Sequence, residues 1–356
     1  MVSPATRGEP TAVAALRRFP LVARPRLSCA PLHSRLAEIA TLVRDAETVA
    51  DPVPLLAVAH NKAALLASDQ QHPDLARELC WQHHRRYPLA PRSEREARFA
   101  LEPLVNLARL ALRHDDPDHA IGILSSLLRG ATHGDDVIVD DEKVRLDHSQ
   151  MTTDAHHAVR TWLWMSLLRE GIRGLTAAGR WADARAHAES HRGIGDRLLD
   201  GRQVAVIAYL NEGEIDRASE LIHGSTVTEP WERAIVETLN ATVSRGQSKP
   251  HDQMIECYRA THLDERHAFF TASLGLAVID VAGGPQNPFS CTVIERVYRQ
   301  AVVSNDAYVA RLLDCHAIAD YLNDSERRSL KSMVNRSGLL ESASQDIANE
   351  IRRMVA

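Results

Sequence analysis

The chain has 356 residues and a net charge of −5 with histidine neutral. This length exceeds what one compact core comfortably supports, so the sequence predicts several domains or an extended repeat array. The net charge gives no general electrostatic reason to expect nucleic-acid binding, and no stretch of about 20 apolar residues predicts a membrane span.

Apolar residues that recur every three or four positions predict helices along most of the chain. Alanine, leucine and arginine dominate the composition, which also favours helix. A first helix is expected near 33–49. Four pairs follow, at 53–69 with 73–87, 93–113 with 117–130, 154–178 with 181–192, and 195–211 with 215–223. Three weaker pairs cover 229–246 with 250–262, 265–282 with 288–303, and 306–321 with 324–336, and a last helix covers 339–355.

Four turns lead into similar helix starts, "HPDLARELC", "DPDHAIGIL", "GRWADARAHA" and "GEIDRASELI". Each places a small residue at one register, Ala76, Ala120, Ala184 and Ala218, and the last two lie 34 residues apart. That spacing equals the usual tetratricopeptide period of about 34 residues. Stacked helix pairs of this kind share a continuous core and a concave inner surface.

One long gap between these turns holds residues 132–153, "THGDDVIVDDEKVRLDHSQMTT". A short β-branched run, Val137 to Val139, is bracketed by aspartates on both sides. This pattern is not helical, and it predicts an inserted loop or a small hairpin.

The repeats resemble tetratricopeptide-repeat proteins in degenerate form over about residues 50–265. Within them "HNKAALLASD", "PDLARELCWQ", "LEPLVNLARLALR", "LDGRQVAVIAYL" and "EPWERA" together look like tetratricopeptide-like proteins of high-GC bacteria. The resemblance implies an all-α, tetratricopeptide-like solenoid of about 14–16 antiparallel helices. Some members of that group appear alongside genes for ribosomally made modified peptides, including lanthipeptide-type systems, which implies an accessory role in such a pathway.

The chain is expected to divide into a flexible N-terminal arm, residues 1–32, repeats over 33–264 with the insertion at 132–153, and C-terminal helical repeats or a cap over 265–356. Residues 1–30 lack the apolar core of a signal peptide. The cysteine count of five is odd and no CxxC occurs, which argues against a disulfide framework and a structural zinc site. We therefore expect a cytoplasmic protein without a metal or other cofactor.

Polar residues recur at similar points on the first helices of successive pairs, 14 or 15 residues before the small anchors or, in the fifth pair, before Met254. Their helical neighbours at steps of three or four should share the same face. Carboxamides offer both a donor and an acceptor, so a column of them can bond the backbone of an extended peptide. The alternative is that these side chains bond neighbouring helices and hold the repeat spacing. The predicted peptide-binding residues are Asn61, Asn106, Arg109, Arg169, Arg173, Gln203 and Asn240.

The neighbours of Asn61 in "HNKAALLASD" belong to other faces of the same helix. Lys62 aligns with Asp69 two turns later, and we interpret these two residues as a structural pair. Arginine is the main cation of the chain, because only four of the 42 basic residues are lysine. That bias indicates either a high-GC genome or selection for bidentate contacts with anions.

A second cluster, "DAHHAVRTWLWM", places His157, Arg160 and Trp164 on one helical face. Such a stripe suits anion binding or general-base activation of a thiol, and His157 and Arg160 are the candidate catalytic residues. The alternative is that this segment is the first helix of an ordinary pair, with Trp164 in the core and His157 and Arg160 exposed at its end.

Two functions from different classes follow. The first is a non-catalytic scaffold that binds a peptide or partner protein in its concave groove. The resemblance implies that it is an accessory component of a modified-peptide pathway, with a precursor peptide and modifying enzymes as partners. The second is an enzyme or enzyme subunit of peptide modification, such as a thioether-forming cyclase. The final helices are amphipathic enough to pair, so the sequence leaves monomer and homodimer open.

Overall fold

The chain is described by a computed structural model over residues 15–87, 90–147, 149–244, 249–339 and 344–355. Within these residues it folds into 16 α-helices, two short 3-10 turns and one two-stranded sheet. The prediction of an all-α fold with one inserted loop or hairpin is confirmed. No helix of the described ranges has the length and apolar character needed to cross a membrane.

The first six helices are α1 (Leu32–Ala46), α2 (Val53–Asp69), α3 (Pro73–His84), α4 (Glu94–Arg113), α5 (Pro117–His133) and α6 (Thr153–Ala177). The next five are α7 (Trp181–Ser190), α8 (Asp200–Glu212), α9 (Ile215–His223), α10 (Pro230–Val243) and α11 (Lys249–Ala260). The last five are α12 (Ala268–Val281), α13 (Ser290–Ser304), α14 (Ala307–Asp314), α15 (Asp324–Ser337) and α16 (Gln345–Val355).

Consecutive helices pack against each other from α1 to α5 and again from α7 to α15, as expected of stacked helix pairs. The small anchors Ala76, Ala120, Ala184 and Ala218 are all fully buried, which allows this close approach. The arrangement is compatible with a helical-repeat fold.

Two compact units make up the chain. One, the 32–174 unit, contains the described residues of 32–174 and 338–356, and the other, the 175–337 unit, contains the described residues of 1–31 and 175–337. This division differs from the one expected from the sequence. In the 32–174 unit α16 packs against α1 and α2, and in the 175–337 unit the N-terminal segment buries Phe19, Leu21 and Cys29. Of the arm expected to be flexible, residues 1–14 lie outside the described residues.

Local sequence signals set the helix ends. The Ser93 side chain accepts a hydrogen bond from the amide of Glu96 at 3.2 Å at the start of α4, and Asp116 accepts one from the amide of His119 at 3.0 Å at the start of α5. Gly213 ends α8 with a φ of 80°, a conformation that favours glycine.

The inserted segment contains an antiparallel hairpin, β1 (Val137–Val139) and β2 (Glu142–Val144). Asp140 and Asp141 occupy the turn with φ values of 49° and 63°, which is the backbone of a type I′ turn. Val137, Val139 and Val144 are buried, so one face of the hairpin packs on the core of the 32–174 unit.

A buried histidine pair lies between α2 and α3. The rings of His60 and His83 stack with centroids 5.1 Å apart, and the Nε2 atom of His83 lies 2.8 Å from the hydroxyl of Tyr87. Burial is the main cause that lowers the pKa of His60. Burial is also the main cause for His83, and together with a smaller electrostatic effect of His60 it lowers the pKa of His83 to about 3. Both imidazoles are therefore neutral components of the core at pH 7.

Lys62 forms a salt bridge with Glu38 of α1, with Nζ 3.0 Å from Oε2. The predicted Lys62–Asp69 pair is therefore wrong. Asp69 is paired with arginines from two other helices instead, because the side chain of Asp69 points into the core, where it is only 2% exposed.

Tight packing explains Gly201, which lies in the first turn of α8. A Cβ atom at this position would lie 2.3 Å from the carbonyl oxygen of Gly193. Only glycine allows this approach of two backbones without a shift of one of them.

Candidate functional site

Five of the predicted peptide-binding residues lie together in the 32–174 unit, on α2, α4 and α6. The Nδ2 atom of Asn106 donates to Oδ1 of Asn61 at 3.1 Å, and Nη1 of Arg109 donates to Oδ1 of Asn106 at 2.8 Å. The register expected from the sequence thus brings α2 and α4 side chains into direct contact. We call the surface that bears these five residues the α2/α4/α6 face.

Glu170 on α6 connects the remaining predicted residues. Its carboxylate accepts from Arg109 at 3.0 Å and lies 3.2 Å from Arg169 and 2.9 Å from Arg173. The side chain is 5% exposed. Burial alone would raise the pKa of Glu170, but the charges of Arg173, Arg109 and Arg169 outweigh burial and lower the pKa to about 2.

The arginine cluster, defined as Arg109, Arg169 and Arg173, places three guanidinium groups around the single carboxylate of Glu170. The side chains of Arg169 and Arg173 are 41% and 57% exposed, so both guanidinium groups reach solvent. A planar guanidinium suits bidentate binding of a carboxylate or phosphate.

A second buried acid lies near the end of α2. Asp69 accepts from Nη2 of Arg35 at 2.6 Å and from Nη1 of Arg113 at 2.8 Å, and Arg113 also donates to Oγ of Ser68 at 2.9 Å. Arg113 follows Arg109 by one turn on α4. Arginines of α1 and α4 thus hold this acid one turn from the arginine cluster.

Apolar side chains flank the polar ones on this face. Val58 and Leu65 lie three and four positions from Asn61 on α2, and Met165 lies four positions before Arg169 on α6. All three are among the exposed large hydrophobic residues of the described chain. Exposed apolar groups beside charged groups are typical of a binding surface.

Two of the predicted binding residues belong to the 175–337 unit. Gln203 is fully buried in α8, and its carboxamide bonds both backbone groups of Leu21. Asn240 is half-buried near the end of α10. These two residues therefore belong to a different unit from the α2/α4/α6 face.

The candidate catalytic residues His157 and Arg160 are exposed in the first turns of α6. The neighbouring His156 ring bonds the carbonyl of Ala131, and the guanidinium of Arg98 lies 5.2 Å from the centre of the Trp162 ring. A catalytic role for His157 and Arg160 stays a prediction. Among the described residues, no group of three or more His, Cys, Asp or Glu is arranged to hold a metal ion.

The prediction missed Glu170 and Asp69, the two acids that organise the arginines. A signal for Glu170 was present, because it follows Leu163 and Leu167 at helical spacing, on the buried stripe of α6. A carboxylate on an apolar stripe indicates a buried ion pair, and arginines stand one position before it and three after it. Comparisons of the chain with protein-family models, curated proteins and solved structures gave no match.

Proposed function

We propose that this protein is a helical-repeat scaffold that binds an extended, acidic peptide or protein segment on the α2/α4/α6 face. The observation that carries the proposal is the arginine cluster, in which the guanidinium groups of Arg169 and Arg173 are solvent-exposed beside carboxamides and apolar side chains. Carboxylate side chains of a ligand would pair with Arg169 and Arg173, and its apolar side chains would contact Val58 or Met165.

Backbone recognition is the role proposed for the carboxamides. Asn61 and Asn106 are half-buried at the centre of the face, and each side chain has donors and an acceptor. The 175–337 unit contains an example of the same chemistry, because Gln203 bonds the amide and the carbonyl of an extended residue, Leu21. Recognition of this type tolerates many ligand sequences.

The structural alternative is that these contacts serve only to join neighbouring helices. The Asn61–Asn106 bond does link α2 to α4, and the Arg109–Glu170 pair links α4 to α6. The contacts of Arg169 and Arg173 with Glu170 differ, because all three residues belong to α6. Joining α4 to α6 requires one arginine at Glu170, and two additional arginines are more than that task needs.

A binding titration with a designed probe tests the proposal. The probe is a fluorescein-labelled ten-residue peptide that alternates glutamate with valine or threonine, and its matched control replaces every glutamate by glutamine. We expect the acidic probe to bind and the glutamine peptide to bind at least about tenfold more weakly, since each carboxylate–arginine contact contributes on the order of 0.5–1 kcal/mol.

The arginine dependence is tested with two double variants. Arg169→Ala with Arg173→Ala should weaken binding of the acidic probe about tenfold. Arg217→Ala with Arg233→Ala is the matched control, because both arginines are exposed and each lies within one turn of an acid on the 175–337 unit. Equal loss of binding in the two double variants would show a non-specific charge effect and refute the site.

The sequence resemblance suggests a natural source for such a ligand, which is an acidic stretch of a ribosomally made precursor peptide in a modified-peptide pathway. The corresponding test is a pull-down from the native host with peptide-level mass spectrometry. The cyclase alternative, with His157 and Arg160, stays a prediction. It requires that the purified protein accelerate thioether closure of a dehydrated precursor, with any partner kinase and lyase present, and a rate equal to the buffer control would remove it.

A further inference from the structure

The N-terminal segment, residues 15–31, is held on the 175–337 unit although residues 19–31 have no regular secondary structure of their own. Its own residues Phe19, Leu21 and Cys29 are buried. We call residues 15–31 the strap. Its contacts are those of a bound peptide, with hydrogen bonds to its backbone and separate partners for its side chains.

Gln203 provides the central backbone contact. Its Oε1 atom accepts from the amide of Leu21 at 2.7 Å, and its Nε2 atom donates to the carbonyl of Leu21 at 2.7 Å. A carboxamide that bonds both main-chain groups of one residue imitates a neighbouring β-strand. Because this contact uses only backbone groups, it accepts any residue in the position of Leu21 whose side chain fits.

Three further backbone hydrogen bonds, at two residues, lie closer to the end of the strap. The amide of Cys29 donates to Oδ1 of Asp306 at 2.9 Å, and the carbonyl of Cys29 accepts from the amide of Ala307 at 3.1 Å. The amide of Arg26 donates to the carbonyl of Arg266 at 2.8 Å. The strap backbone is therefore fixed at three separate residues.

The arginines of the strap have dedicated partners. Arg18 forms a buried salt bridge with Asp280, with Nε 2.8 Å from Oδ2. Arg24 binds both carboxylate oxygens of Asp200.

Arg26 is held by two aromatic rings. Its guanidinium lies 4.4 Å from the centre of the Phe269 ring and 4.6 Å from that of Tyr308, an arrangement that suits a cation.

The surface beneath the strap keeps partners for its buried polar groups when the strap is removed. Asp280 retains the ring of His316, with Oδ1 3.0 Å from Nε2. Asp306 retains the amide of Tyr308 at 3.0 Å, and Gln203 retains the carbonyl of Leu198 at 2.7 Å. Departure of the strap thus leaves none of these three side chains without a hydrogen bond, which lowers the cost of opening.

We propose that this surface of the 175–337 unit is a second peptide-binding site, and that the strap is its intramolecular occupant. Its ligand class is an extended basic peptide, with arginines for Asp280, Asp200 and the Phe269–Tyr308 ring pair, and with apolar residues between them. Such a peptide competes with the strap and binds when the strap leaves. The inference is independent of the proposed function, because it rests on a different unit and on a ligand of opposite charge.

Cys29 reports departure of the strap in the full-length protein, because it is buried only while the strap is bound. The measurement is the rate of Cys29 alkylation by iodoacetamide, resolved from the other cysteines by peptide mass spectrometry. The added probe is a synthetic peptide of residues 15–31 carrying Cys29→Ser. The matched control peptide also carries Arg18→Ala, Arg24→Ala and Arg26→Ala.

The intact probe should accelerate alkylation of Cys29 at least about tenfold in a saturable manner, because it traps the open site. The control peptide should have little effect, and hydrogen exchange of the buried helix α12 should stay unchanged. The inference is overturned if the two peptides accelerate alkylation equally. It is also overturned if Cys29 is alkylated only as fast as the amides of α12 exchange, because the strap would then open only when the whole unit unfolds.

A strap variant provides a second readout that leaves the site intact. Arg24→Ala in the full-length protein weakens the occupant but changes no residue of the surface beneath it. The probe concentration for half-maximal acceleration should fall about threefold, as expected for loss of one partly exposed ion pair. An unchanged or higher concentration would contradict competition between strap and peptide.

Discussion

Replacing Glu170 by glutamine removes the carboxylate on which the arginine cluster converges. The structure lowers the pKa of Glu170 from its ordinary value of 4.5 to about 2, despite burial. At 1.36 kcal/mol for each pKa unit, the ionised form therefore stabilises the folded state by about 3 kcal/mol relative to a neutral side chain. Glutamine resembles the protonated acid in size and charge, so Glu170→Gln should lower the free energy of unfolding by about that amount.

The assay must follow one unit, because a chain with two compact units need not unfold in a single step. In a background with Trp181→Phe and Trp231→Phe, the remaining tryptophans all lie in the 32–174 unit. Urea unfolding followed by their fluorescence at pH 7 then gives the free energy of that unit with and without Glu170→Gln.

The pH dependence provides an internal check. A carboxylate with a lowered pKa contributes stability above its unfolded pKa, and this contribution is lost as the pH falls towards the folded pKa. The protein with Glu170 should lose about 3 kcal/mol between about pH 5 and pH 2 that the glutamine variant does not lose. A difference below about 1 kcal/mol at pH 7, with identical acid limbs, would refute the electrostatic reasoning.

Three further predictions concern other parts of the fold. A double-mutant cycle with Asn61→Ala and Asn106→Ala should give a coupling energy of about 1 kcal/mol in urea unfolding. Because His83 is buried neutral with a pKa of about 3, its titration should make the 32–174 unit about 2 kcal/mol less stable at pH 5 than at pH 7, and His83→Gln should reduce the measured difference by about that amount. Gly201→Ala should lower stability by about 1–3 kcal/mol in thermal unfolding, since the new Cβ would contact the Gly193 carbonyl.

Each of these predictions has a result that contradicts it. Additive effects of the two asparagine variants would show that their hydrogen bond contributes nothing. A pH dependence that His83→Gln leaves unchanged would assign the titration to another group. An alanine at position 201 with unchanged melting temperature would show that the Gly193 backbone shifts without cost.

The helices were predictable from the sequence because their signals are local. Apolar periodicity and the residues at the helix ends act within a few positions, and α5 and α8 accordingly end close to the predicted residues. The hairpin was predictable for the same reason, since aspartates on both sides of a β-branched run favour a tight turn.

Side-chain partners were predictable only where one register repeats. Asn61 and Asn106 meet because both occupy the same register on successive first helices. The partners of Glu170 and of Gln203 depend on which turns of distant segments come together, and Leu21 lies 182 residues from Gln203. Spacing along one helix also predicted the wrong partner for Lys62. The side chain of Asp69 points into the core and away from Lys62, which pairs with Glu38 instead.

The most direct test of the acidic-peptide site is the affinity of Glu170→Gln for the glutamate-containing probe. If the arginine cluster is a ligand site, removing its internal carboxylate should tighten binding about threefold, since a unit charge about 7 Å away in water contributes about 0.6 kcal/mol. Glu170→Gln should therefore lower the stability of the protein and at the same time raise its affinity for the probe. Unchanged or weaker binding of the probe by the folded variant would contradict the account, because Glu170 and the arginines would then serve only to hold the helices together.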